Sequence, residues 1–366
     1  MSQISRRRGT VLHYMRRWLP LSEQFVHALV TRSRHGAVVV SRERPENRLT
    51  FPHRPVIGLS ALHAQAPPTL TERRLVTASL MALAVRHRVR LIHHHHGYRL
   101  FDVEGPVRRL GLPLVVSFHG HDLTAWARAW PDQVHTVRHA DAVIVPSQFL
   151  VEHAVAAGGR PDAVRVIPSG VDVSWFTPTP LPDGSPEVLF VGRFVEKKGI
   201  DVLLEAWPKV RASVPDAHLR LLGFGPLEGL ARSGGPGVEV ERADPERRAE
   251  QVRDAMRRAR LVVTPSRTAA DGDVETLLLV NLEAQASGRP VVTTRHGGIP
   301  EFVEEGRTAL LVPEGDADEL ANATIEVLTD EGLAKRLGEA GPVWARRFDV
   351  DTCAAQVDDL YESLIP

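Results

Sequence analysis

Short apolar runs alternate with longer amphipathic stretches along most of the chain. Thr10-Val-Leu-His-Tyr14, Ala37-Val-Val-Val-Ser41, Val89-Arg-Leu-Ile92, Leu114-Val-Val-Ser-Phe118, Leu219 to Leu222, Leu261-Val-Val-Thr264 and Thr308-Ala-Leu-Leu-Val312 are each four or five residues long. Such runs have the pattern of strands covered on both faces. Between them lie predicted helices: Ser22 to Val30 with Ser22 as N-cap, Leu70 to Arg86, about Leu279 to Ser287, several from Asp316 onward, and a last one from about Val350 to Leu364. Strands and helices in this order predict an α/β chain with doubly wound parallel sheets. The Pro-containing segment from Arg44 to about Pro68 has no clear period and is expected to be irregular.

Asp141-Ala-Val-Ile-Val-Pro-Ser147 and Arg260-Leu-Val-Val-Thr-Pro-Ser266 are near copies, each an apolar strand closed by Pro-Ser. Their recurrence points to twin Rossmann-like domains, and 366 residues accommodate two cores. The Pro-rich stretch from Thr177 to Pro186 reads as the linker, giving domains 1–180 and 181–345. A single cysteine, Cys353, excludes an internal disulfide framework and suits a reducing cytoplasm. No run approaches the roughly 20 apolar residues of a spanning helix, and Arg16-Arg17 interrupts the apolar run a signal peptide would need.

The formal net charge of zero conceals an asymmetry. Residues 1–180 hold 23 Arg and no Lys against 12 acidic residues, a balance of +11, and the remainder balances at −11. Fifteen of the 17 histidines also fall in the first half. The basic half suits an anionic partner such as a lipid diphosphate or an acidic bilayer surface, although arginine-rich composition alone would give the same count. No aromatic-interleaved basic motif accompanies it, which argues against nucleic acid.

Four places carry candidate chemistry. Glu275 lies in a polar loop before the 279–287 helix, and Glu283 lies about one turn inside it. The amides near Leu279 and Val280 at that helix start favour an anion such as a diphosphate, whereas the carboxylates suit sugar and ribose hydroxyls. Gly192-Arg193 and Lys198 precede another helix and form a phosphate-holding arrangement of two cations beside a glycine. The run Leu114 to Phe118 ends in His119-Gly-His-Asp122, a plausible active-site edge. His93-His-His-His96 invites a metal reading, but alternation along a strand lets at most two of the four converge, so no metal site is expected there.

Taken together, these motifs resemble the GT-B retaining glycosyltransferases of family 4 (group 1). The run Glu275 to Gly288 with Arg289 to Glu301 is similar to the family's donor-site signature, with Thr276 and Leu278 where its glycines usually stand. Gly-Arg193-x-x-x-Lys-Lys198-Gly, Phe118-His119-Gly-x-Asp122 and Val164-Arg-Val-Ile-Pro-Ser-Gly-Val-Asp172 also match, the last with Ser169 in place of Asn. Pro20-Leu-Ser-Glu-Gln-Phe-Val26 resembles an element of exopolysaccharide and colanic-acid members.

The resemblance implies two Rossmann-like domains with an interdomain cleft and a last segment, 346–366, crossing back to the first domain. It implies transfer of a hexose with retention from a UDP- or GDP-linked nucleotide sugar to a glycan or lipid-linked acceptor. His119, Arg193, Lys198 and Glu275 would be catalytic. Ser22, Gly223, Leu279, Val280 and Glu283 would bind donor, and Asp122 and His96 would line the cleft. Gly223-Phe-Gly-Pro226 is expected to be the turn beside the nucleotide. No metal or other cofactor is expected, and peripheral contact of the basic domain with a membrane is.

Three alternatives remain at this point. They are a nucleotide-sugar epimerase, a catalytically degenerate nucleotide-sugar-binding protein, and a nicotinamide oxidoreductase, although neither domain shows Gly-x-Gly-x-x-Gly after its first strand.

Overall fold

The computed structural model describes residues 9–366 except 21–22, 46, 49, 54, 60–69, 132–134, 184–185 and 245. The chain divides into two units, one running to Ser169 and including Val350–Pro366, the other spanning Gly170–Asp349. The first holds a seven-stranded sheet built from β1 (Thr10–Met15), β2 (Gly36–Ser41), β3 (Val56–Gly58), β4 (Val89–His95), β5 (Leu114–Ser117), β6 (Ala142–Val145) and β7 (Val164–Val166). The second holds six: β8 (Glu187–Arg193), β9 (His218–Phe224), β10 (Val238–Arg242), β11 (Leu261–Thr264), β12 (Val291–Thr294) and β13 (Ala309–Val312).

Both sheets follow one plan. The orders are β3-β2-β1-β4-β5-β6-β7 and β10-β9-β8-β11-β12-β13, with parallel pairing throughout. Strand order reverses beside β1 in one and beside β8 in the other, and ligands of such sheets bind at the carboxyl ends of the strands flanking this switch. The Pro-Ser near copies prove not to be equivalent positions. One closes β6, the sixth strand of its unit, and the other closes β11, the fourth of its own. Proline and serine there answer a local need, ending a buried strand and opening a turn, and that need arises at both places.

The apolar strands are buried because helices cover both faces. In unit 2 the Ile200–Ser213 helix turns Ile200, Leu203, Ala206, Trp207 and Val210 inward, a spacing of three and four residues. The segment expected to be irregular contains β3, whose Val56, Ile57 and Gly58 pair with Val39, Val40 and Ser41. Three residues are too few for periodicity to register.

Local bonds set the unit boundaries. Val171 N–H donates to Phe348 O at 2.8 Å. The fully buried Arg289 donates from Nη2 to Thr179 Oγ1 at 2.7 Å and Pro180 O at 2.9 Å. The stretch after Ser169 is thus fastened to unit 2 before the proline-rich run begins. The last helix, Val350–Leu364, belongs to unit 1. Its buried Asp358 accepts from Ser33 Oγ at 2.5 Å and Arg34 N–H at 2.7 Å, and its Tyr361 hydroxyl lies 2.5 Å from His93 Nδ1.

Candidate functional site

In unit 2 the chemistry gathers at the ends of the switch strands β8 and β11. After Arg193 the chain makes a single 3-10 turn, Glu196–Lys198, and enters its helix through Gly199 at φ +64°. A Cβ on Gly199 would stand 1.9 Å from the Pro265 carbonyl oxygen, so glycine lets the two strand-end loops touch. That contact brings Lys198 Nζ within 2.7 Å of Glu275 Oε1. Lys197, quoted in the motif but given no role, pairs with Asp273 at 2.8 Å and lies 3.8 Å from Glu275.

The electrostatics follow from this crowding. Burial alone would raise the Glu275 carboxyl, but Lys197, Lys198 and Arg193 reverse that and hold it at about 2. Burial draws the Lys198 ammonium down, with Lys197 and Arg193 adding to the effect and Glu275 opposing it. Arg193 is exposed, so its guanidinium faces solvent at the sheet edge.

The helix expected near 279–287 spans Leu279–Ala286. No side chain caps it, so its first amides are available to an anion. Val280 and Glu283 are buried. Burial pushes the Glu283 carboxyl up, against the pull of Arg248. A polar lattice fixes the helix on the sheet: Thr264 Oγ1 donates to Asn281 Oδ1 at 2.8 Å, and Asn281 Nδ2 donates to Thr293 Oγ1 at 3.2 Å.

Thr276 and Leu278 turn inward, at 3% and 5% exposure. The close backbone approach passes to Gly297, at φ +53°, where a Cβ would lie 2.0 Å from Glu275 O, and Gly298 N–H donates to that same oxygen at 3.0 Å. His296 completes the clamp. Its Nε2 accepts from Glu275 N–H at 3.2 Å while Nδ1 stands 2.8 Å from Glu314 Oε2, which fixes Nδ1 as the protonated nitrogen. Sequence reasoning assigned His296 nothing, although His296-Gly-Gly298 was the available signal. Gly223 lies inside β9 and not in the turn expected there. It pairs in register with Gly192, whose carbonyl would lie 1.9 Å from a Cβ, so it serves sheet packing while the turn starts at Gly225.

In unit 1 the corresponding edge is organised by Asp122. This carboxylate is buried and accepts from His119 N–H at 3.0 Å, Gly120 N–H at 2.9 Å and Gly97 N–H at 3.3 Å. It therefore holds the backbone of two strand ends and is not a lining group. His96 has φ +64° and faces Asp122 Oδ2 at 3.6 Å and Glu23 Oε2 at 3.1 Å. Burial disfavours its charge, but the two carboxylates prevail and raise His96 to about 10. His119 lies against it edge to face, ring centroids 4.6 Å apart, and is kept near 3 by burial and the neighbouring His96 charge. Ser22 falls outside the described residues. The first helix spans Gln24–Arg32, two residues later than its expected start, because Glu23 is occupied with His96 and its N–H bonds to Pro20 O at 2.9 Å.

Residues 23–175 match the description Glycosyltransferase Family 4, and residues 185–330 match Glycosyl transferases group 1. The GDP-mannose-dependent alpha-(1-6)-phosphatidylinositol monomannoside mannosyltransferase of Mycolicibacterium smegmatis is 36% identical over 265 residues, 66% of this chain and 68% of that protein. The chain belongs to the family 4, group 1 glycosyltransferases. As such it is a nucleotide-sugar-dependent hexosyltransferase of glycan biosynthesis. The putative colanic acid biosynthesis glycosyltransferase WcaL of Salmonella typhimurium is 32% identical over 226 residues, 59% of this glycosyltransferase and 56% of WcaL. In fold it is similar to Anabaena HepE, solved in complex with UDP and glucose, at a TM-score of 0.78 and 21% identity, over 96% of this chain and 99% of that one. Sucrose-phosphate synthase from Thermosynechococcus elongatus gives 0.74 and 23%, over 98% and 99%. Both likenesses bear on the fold, which is GT-B with two Rossmann-like units.

Proposed function

We propose that this glycosyltransferase transfers a hexose with retention from a UDP- or GDP-linked donor to a glycan or lipid-linked glycan, with unit 2 holding the donor. The observation that carries the donor assignment is the Lys198–Glu275 pair, 2.7 Å apart at the switch point of unit 2, beside an uncapped helix start and the buried Glu283. A diphosphate arriving there meets Arg193, Lys198 and the Leu279 and Val280 amides, which together accept charge as the sugar bond breaks. Glu275, released from Lys198 by the incoming phosphate, accepts a hydrogen bond from a sugar hydroxyl. Glu283 accepts from the ribose. In this reading the leaving phosphate takes the acceptor's proton, and His119, kept neutral in unit 1, does not act as base. The protein's own cations bear the leaving charge, so the reaction calls for no divalent ion at the diphosphate.

The donor base is open between two chemistries, since the relatives' names include GDP-mannose and a structural neighbour was solved with UDP. Among the described residues no helix is long and apolar enough to cross a membrane. The +11 balance of residues 1–180 instead supports salt-sensitive contact with anionic lipid at the cytoplasmic face. A thermal-shift panel of UDP, GDP, ADP and their common sugars tests the donor assignment. One nucleotide series should raise the melting temperature in the wild type and not in Glu283→Ala. No shift with any of them would refute a donor site in unit 2.

A further inference from the structure

The histidine run has a partner that its own spacing did not reveal. His13 on β1 stands in register with His93 on β4, and His95 follows two residues along on the same face. His94 points to the opposite side, packed on Tyr14 at 5.2 Å between ring centroids. His13, His93 and His95 are all buried, at 1% exposure or less. One ring nitrogen from each lies within 4.8 Å of the other two, and His13 Nδ1 and His95 Nε2 are 3.0 Å apart. Tetrahedral metal–imidazole bonds of about 2.0–2.1 Å put ligand nitrogens roughly 3.3–3.4 Å from one another, a spacing the His13–His95 pair nearly has, whereas the His93 ring, stacked on His95 with centroids 4.1 Å apart, must turn to bring its nitrogen in.

Three further features suit a metal. All three rings are buried, and the neutral imidazole that burial favours is the form that carries a lone pair for a metal. His93 is held at both ring nitrogens, by Tyr361 OH at 2.5 Å from Nδ1 and Ser117 Oγ at 2.6 Å from Nε2, so an ion entering here displaces one hydroxyl and keeps the other as its outer partner. His95 and Ser117 also line a cavity shared with Cys353 and His119, which leaves room for a fourth ligand. Three neutral imidazoles leave a divalent charge uncompensated, so that fourth ligand is hydroxide or another small anion. An all-nitrogen set selects zinc-class transition ions over magnesium or calcium.

We propose that His13, His93 and His95 form a buried three-histidine site for a divalent transition ion of the zinc class, with its fourth position open to the cavity. The site is separate from the diphosphate-binding half in unit 2 and does not depend on it. Its ligands join the two switch strands β1 and β4, and Tyr361 extends the link to the terminal helix.

The test uses the full chain, stripped with a chelator and then titrated with Co2+ and Zn2+. One Co2+ per chain with the intense visible bands of a tetrahedral ion is expected, displaced by one Zn2+. His13→Gln and His95→Gln should each weaken binding by more than about 100-fold, beyond what losing an outer-shell partner costs. His94→Gln, on the other face, should bind as the wild type does. Because the first two variants could fail to fold, X-ray absorption on the zinc-loaded wild type provides an independent readout, with three imidazoles at about 2.0 Å expected. Absence of stoichiometric binding, undiminished binding by both variants, or a coordination shell with fewer than three imidazoles would overturn the proposal.

Discussion

The two sheets share a strand order and differ in how their carboxyl edges manage charge. In unit 2 the edge is built of ion pairs: Lys197, Lys198, Asp273 and Glu275 lie within 3.8 Å contacts of one another. In unit 1 it is built of buried imidazoles around the carboxylates of Asp122 and Glu23, with His96 charged and His13, His94 and His119 neutral. A topology therefore fixes where a site forms but not what it can bind. The ion-paired edge can exchange partners with an arriving diphosphate, and the neutral imidazoles of the other edge can offer lone pairs instead.

Lys198→Ala gives the sharpest break in this contrast. It removes a cation from the leaving diphosphate and leaves Glu275 without its nearest partner, so turnover should fall by about 100- to 1,000-fold, measured as kcat at saturating donor. Removing the buried carboxylate with Glu283→Ala should weaken donor binding by roughly 10- to 100-fold, as expected for a lost charge-assisted hydrogen bond, with calorimetric titration as the readout.

Acid should separate the two edges. Histidines that stay neutral when folded bind protons more readily in the unfolded chain. Their stabilising contribution is therefore present above pH 6.5 and is lost as pH falls toward about 3. Glu275, held at about 2 against 4.5, stabilises above pH 4.5 and loses that contribution only as pH falls through about 2. His96 acts in the other direction, contributing fully below pH 6.5 and fading as pH rises through about 10. Between pH 7 and 5, hydrogen exchange corrected for its intrinsic rate should thus show β1 and β4 losing protection, by up to about 1.4 kcal/mol per pH unit for each neutral histidine. Amides of β8 and β11 should hold. Equal loss in both units would contradict the contrast. The smallest effect expected is that of Tyr361→Phe, which removes the hydroxyl from His93 and should cost about 1 kcal/mol by urea denaturation.

Much of the fold was legible because buried parallel strands leave continuous apolar runs, and Leu261 to Thr264 or Leu114 to Ser117 could hardly be read otherwise. β3 escaped because three residues carry no period. The place of the candidate site was legible where a local motif marks a strand end, as with the motifs that hold Lys198 and Glu275, which meet at the ends of β8 and β11. It was illegible where a residue acquires its partner across the sheet. Nothing near position 13 announces His93 and His95, and nothing near Glu23 announces His96. Gly223 shows the converse error, since a glycine in a Gly-x-Gly turn pattern is there because Gly192 of the neighbouring strand comes too close for a side chain.

The helix Val350–Leu364 has a bearing on how the protein is made. Unit 1 receives the Val350–Leu364 helix from beyond unit 2, through bonds such as Ser33 to Asp358 that span 325 residues, while unit 2 is contiguous. On the ribosome, unit 2 can finish folding before unit 1 has all its parts. The first unit must wait with Ser33, the Arg34 amide and His93 lacking their partners. The unit that begins to emerge first is therefore the one completed last, and its closing contacts report that unit 2 has already been synthesised.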